Sequence, residues 1–201
     1  MKTIKEVIEK ERGRVSLPKK SGPIKIQQNL LNSLTPSQLV KEYAGSLVQA
    51  KEKSILLDVA GDTSIPSLAN VVVAYGDYGN AVAVSLISEH LVGLLGFGDV
   101  KLMKSQYQDA VLLMASEYYF LNLKEWTIFF RRCKLGDYGQ MVWGNKLNTQ
   151  SLMCALKTFV RDRRDAIAKR EQEELNKKLL QKDENAITWE EWQKMKNKAN
   201  K

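Results

Sequence analysis

The run NAVAVSLISEHLVGLLGFG, residues 80–98, constrains the fold of this chain more than any other stretch. It is the longest apolar run, yet Glu89 and His90 stand at its centre and four of its positions are Gly or Asn. A membrane span needs about 20 nearly uncharged residues. The run therefore reads as a buried core helix, and a membrane is not among the expected partners. His90 reads as a partly buried core residue rather than a catalyst.

The segments around it carry a helical period. In TPSQLVKEYAGSLVQAKEKS, Thr35 caps, Pro36 suits the first helical position and Gln38 completes a capping box. Leu39, Tyr43 and Leu47 then recur four apart, which predicts a helix over 36–53. Pro66 is expected to open a helix over SLANVVVAYG despite its valines, and Gly76 and Gly79 mark a joint. Asp99 caps a stripe of Val100, Met103, Tyr107, Ala110 or Val111, Met114 and Tyr118 that runs to about Phe120. Asn122, with Glu125 three residues later, starts a helix whose apolar face is Leu123, Trp126, Phe129 and Phe130. Arg131, Arg132 and Lys134 fall in its last turn, and Gly136 stops it.

After LGDYGQMVWG, residues 135–144, Asn148 or Thr149 caps a long helix with Leu152, Leu156 and Phe159 as core residues. From Arg161 that helix is charged almost all round. Residues 161–183 carry eight cations against six anions, and only Ile167, Leu175 and Leu179 keep an apolar line. It is expected to project from the domain. The tail TWEEWQKMKNKANK reads as a small amphipathic helix with Thr188 as cap and Trp189, Trp192 and Met195 on one side. The expected fold is all-α. A basic arm over 1–34 precedes a single orthogonal, bundle-like helical domain over 35–165, and a charged helix and tail follow over 166–201.

Charge is uneven. The net charge is +8, and residues 1–26 carry eight Lys/Arg against three Glu, a net of +5. Such an arm, with Arg12, Arg14, Lys19 and Lys20, can engage phosphate by releasing counterions. It reads equally as a solvated leader. No secretory signal is read at the start, and Cys133 and Cys154 read as buried free thiols, which suits a reducing cytoplasm.

No catalytic constellation assembles. One histidine and two cysteines with no spacing partner make no metal site, and no Gly-rich phosphate loop ends in Lys-Ser or Lys-Thr. GLLGFG, 93–98, follows a helix rather than a strand, so it reads as a helix end and not a dinucleotide turn. No cofactor, metal or catalytic residue is expected, and the chain reads as a non-enzyme. GDYG occurs at 76–79 and 136–139, which two glycine-dependent helix joints account for. What rises above background is the unit 122–164. Arg131, Arg132 and Lys134 precede an aromatic, glycine-rich joint with Tyr138, Trp143 and Lys146, and Arg161, Arg163 and Arg164 follow it. Basic groups with aromatics between them can hold a nucleic-acid backbone and stack on bases. Tyr138, Met141 and Trp143 read equally as a cover over the end of the core.

The stretch 118–164 resembles a family of uncharacterised proteins from Bacteroides-type bacteria, their phages and mobile elements. The resemblance lies in Tyr118, Tyr119 and Leu121, in the turn Lys134-x-Gly136-x-Tyr138-Gly139, and in Phe159 with Arg163. Tyr75, Gly76 and Ala81 resemble a second element of that family, and the likeness covers about 65–170. It departs from the pattern at Trp143 and Asn148. The resemblance implies a phage or mobile-element setting in a bacterial cytoplasm. It suggests an adaptor that binds DNA or a DNA-bound protein, of the helicase-loader or replisome-organiser kind. The alternative is a phage structural or assembly protein that acts through protein–protein contacts. DNA and a protein are the expected partners.

Overall fold

The computed structural model describes residues 29–95, 100–143 and 146–184, with 189–190, 192–193 and 196 of the tail; the side chains of 100–106, 146 and 181–184 lie outside that description. The elements in chain order are α1 (Pro36–Tyr43), α2 (Ser46–Lys51), α3 (Leu56–Val59), α4 (Leu68–Ala74), a 3-10 turn (Gly76–Tyr78), α5 (Gly79–Leu95), α6 (Val100–Glu117), α7 (Leu123–Leu135), β1 (Val142–Trp143), β2 (Lys146–Leu147) and α8 (Thr149–Glu184). The fold is all-α. Among the described residues the one departure is β1–β2, an antiparallel hairpin within the glycine loop that pairs Val142 with Leu147 and Trp143 with Lys146.

The apolar run forms α5, which packs against α1, α4, α6 and α7. With the turn before it, Gly76–Leu95 is long and apolar enough to cross a membrane by length and composition. Here Val82, Leu86, Ile87 and Leu91 bury it in the core. Against it lies the aromatic face of α7, where Trp126, Phe129 and Phe130 are fully buried. Phe129 meets Phe159 of α8 with ring centres 5.5 Å apart, and His90 stacks on Phe130 at 5.0 Å. Two helix starts are tied together: Leu68 N–H donates to the Leu121 carbonyl and Leu123 N–H to the Pro66 carbonyl.

Several expected boundaries shift. The helix over 36–53 breaks at Ala44–Gly45, where Gly45 takes φ +90°. The break frees the Tyr43 carbonyl, which accepts from Thr127 Oγ1 at 3.0 Å and from the His90 ring. The helix expected to open at Pro66 starts at Leu68, with Ser67 as its cap through a capping box with Asn70. The stripe of α6 ends at Glu117, because residues 118–121 turn to reach the α4 start. At the other end, Leu31 is fully buried and Tyr75 Oη donates to the Leu31 and Leu34 carbonyls. Leu31 and Leu34 thus pack with the core, which begins before residue 35. Cys133 is buried, and burial pushes its thiol up to about 12. Cys154 is exposed, because it lies on the side of α8 away from Leu152, Leu156 and Phe159. Asp99, Thr188 and Met195 lie outside the described residues.

Candidate functional site

The unit 122–164 is built as its sequence suggests. Asn122 caps α7, with its side chain accepting from Glu125 N–H and the Glu125 carboxylate accepting from Asn122 N–H. Gly136 ends the helix in the left-handed region at φ +86°, and Asn148 accepts from Ser151 N–H to start α8. The question is which cations this frame leaves for a partner.

Two of the expected contact residues are engaged in ion pairs, Arg163 with a buried carboxylate and Arg132 half-buried. Arg163 donates from Nε to Glu125 Oε1 at 2.6 Å, and Glu125 is fully buried. The same oxygen accepts from Gly61 N–H at 3.0 Å, so the pair ties α7, α8 and the loop after α3. The Arg163 guanidinium also lies 5.5 Å from the Phe120 ring centre. Arg132 reaches Asp162 at 3.3 Å and the Tyr138 hydroxyl at 3.4 Å. Tyr138 is half-buried against Phe129, and burial raises its phenol above the ordinary value.

The remaining residues divide between the surface and the frame. Lys134 Nζ donates to Ser46 Oγ at 2.9 Å, and partial burial lowers its ammonium. Arg131 is half-buried. Burial tends to raise the Glu52 carboxyl, but hydrogen bonds from Ser54 and the charges of Lys124 and Arg131 bring it below its ordinary value. Met141 points into the core, while Trp143 is 61% exposed on the hairpin. Arg161 and Arg164 are exposed on α8. The Lys146 side chain and all of Arg12, Arg14, Lys19 and Lys20 lie outside the described residues. Of the expected basic contact residues with described side chains, Arg132, Arg163 and Lys134 are thus engaged within the protein, and Arg161 and Arg164 are exposed. Sequence reading did not nominate exposed Lys157, which precedes Arg161 by one helical turn.

A second surface was not legible in the motifs. A groove of about 1060 Å³ opens between α1–α2 and α5. Val40, Ala44 and Leu47 form one wall, and Ala81, Ser85 and Val92 of α5 the other. Glu89 lies within it, Lys41 and Lys134 also line it, and Leu47 and Tyr78 are each 76% exposed there. The sequence signal was the small, open side of the apolar run. Ala81, Ser85 and Glu89 are four apart on that side, and all three are exposed or half-buried.

His90 is not a site residue. Its ring is buried between Gln49, whose Nε2 lies 3.2 Å from Nδ1, and the Tyr43 carbonyl. Burial lowers it to about 3. Among the described residues, no three His, Cys, Asp or Glu side chains gather as a metal site.

Fold and surfaces together define a class: an all-α protein with a groove on one side and a long, exposed charged helix on another. A model described as a family of unknown function (DUF6633) matches residues 101–201, half of the chain, and the chain belongs to that family. The match takes in α7, the hairpin and α8, while most of the groove lining lies before it. No curated protein and no solved structure matches the chain.

Proposed function

We propose that this protein is a non-enzymatic adaptor of a phage or mobile element, working in a bacterial cytoplasm, that contacts DNA or a DNA-bound protein. The observation that carries the reading is a row of cations on α8. Lys157, Arg161 and Arg164 are spaced four and three apart, so they share one side of the helix, and all three are exposed. The row is about 10 Å long at 1.5 Å per residue, a span over which a nucleic-acid strand offers several phosphates. Exposed Trp143 supplies a stacking surface in the same unit. The basic arm adds charge, and the sequence resemblance supplies the setting.

The test is a salt titration of binding to short single- and double-stranded DNA. Wild type should bind with an affinity that falls steeply as salt rises. The Arg161→Ala/Arg164→Ala variant should show a slope shallower by about 2, near 0.9 for each phosphate that is no longer neutralised. Absence of binding at low salt overturns the DNA reading. A second reading, an assembly protein that acts through protein contacts, is favoured by the open groove.

A further inference from the structure

Among the described residues, an apolar groove and a leucine line on a charged helix both lack a cover, and each fits the other. The first is the groove on α5, lined from Ala81 to Gly93, about 18 Å of helix, with Tyr78 at its end. The second is the far half of α8. Ile167 and Arg170 still lie against Gly61, but every side chain from 171 to 180 is exposed. Leu175 is 57% exposed and Leu179 52%, and they stand four apart on one line. This stretch, 171–184, is about 21 Å long, enough to span the groove.

We infer that the groove between α1–α2 and α5 receives the 171–184 stretch of α8 from a second copy of this chain. Leu175 and Leu179 enter between the Leu47 wall and the Ala81–Ser85 wall, whose small side chains let a helix approach closely. Charges complement in both senses. Glu171 continues the leucine line, Glu174 flanks it, and both suit Lys41 and Lys134 of the groove, while Lys178 suits Glu89. The chain cannot fill its own groove this way. The helix is continuous from Thr149 to Glu184, and its start is fixed to α3, α6 and α7, so its far half points away from the body. The contact joins unlike surfaces, so it either closes into a ring or reciprocal pair or runs on as a chain. This inference does not rest on the DNA reading, and it gives the assembly reading a definite interface.

The test is the mass of full-length protein by sedimentation as concentration rises. Wild type should exceed the monomer mass. Leu175→Asp/Leu179→Asp should weaken association at least tenfold. So should Leu47→Asp and, separately, Ser85→Arg, which alter opposite walls at the groove surface. Unchanged circular dichroism and melting temperature show that a variant is folded. The deciding experiment mixes the α8 variant with a groove variant. Each alone self-associates at least tenfold more weakly than wild type, and together they hold one intact surface of each kind, so a one-to-one complex should form. A wild type that stays monomeric to its solubility limit overturns the inference. Groove variants that associate as wild type does also overturn it, because α8 would then be pairing with α8 or with another surface. Failure of the mixture to form a complex does so as well.

Discussion

At the scale of single residues, two buried ionisable side chains of the core, His90 and Glu125, are accommodated in different ways. His90 is folded as a neutral ring, with one nitrogen near Gln49 and the other donating to the Tyr43 carbonyl. Its folded value is about 3 against 6.5 when unfolded, so below pH 6.5 the unfolded chain takes up a proton that the folded one refuses. Stability from this site is complete above pH 6.5 and falls with acid down to about pH 3. The slope is about 1.4 kcal/mol per pH unit. Urea unfolding at pH 7 and pH 5 should differ by about 2 kcal/mol more in wild type than in His90→Gln. Equal differences would show that the ring is open to solvent. Glu125 is instead kept with a cation. Arg163→Met keeps the aliphatic stem but leaves a buried carboxylate without its counter-charge, and should cost about 3 kcal/mol. Adding Glu125→Gln should recover much of that loss, a coupling that a double-mutant cycle measures. Sequence made Glu125 visible as a capping partner and Arg163 as a surface cation. It could not show that one guanidinium 38 positions away would cover the other side of the same carboxylate.

At the scale of elements, the repeated tetrapeptide GDYG shows how far local sequence reaches. Both copies are helix joints, as expected, but their last glycines serve different ends. In the second copy, Gly136 and Gly139 adopt positive φ with open space around them, so what they supply is a turn. In the first, Gly79 is already helical, and a Cβ there would lie 2.2 Å from the Val72 carbonyl oxygen and 2.6 Å from its Cα. The crossing of α4 over α5 depends on that missing methyl. Gly79→Ala should therefore force backbone apart and cost about 3 kcal/mol, at the upper end of overpacking. Gly136→Ala meets only the left-handed penalty and should cost about 1–2 kcal/mol. Thermal melts of both variants check the order, and the reverse order would mean that α4 and α5 are not in backbone contact. Caps such as Thr35 with Gln38 and Asn122 with Glu125 were legible because both partners sit within one turn. The break at Ala44–Gly45 was not, because its reason lies in Thr127 and His90, which use the freed carbonyl from other helices.

At the scale of the molecule, α8 is one helix with two physical lives. Its first half owes its order to burial of Leu152, Leu156, Phe159 and Val160. Its second half, exposed at every described side chain from 171 to 180, is extended from a helix already nucleated on the core. Sequence marked the change of composition at Arg161, and the core does thin there, although Ala166 and Ile167 still pack against it. The groove escaped notice because its walls come from α1, α2 and α5, which only the tertiary fold brings together. Hydrogen exchange on dilute protein should separate the two halves of α8. Amides over 149–167 should open only with the global unfolding energy. Those over 171–184 should exchange through local fraying, near the low end of the range. If the far half is the segment that enters another copy's groove, its protection should rise with protein concentration while that of 149–167 stays fixed. Slow exchange over 171–184 that does not depend on concentration would mean that the segment is covered by its own chain. That outcome would remove both the projecting helix and the reason for expecting a second copy to bind it.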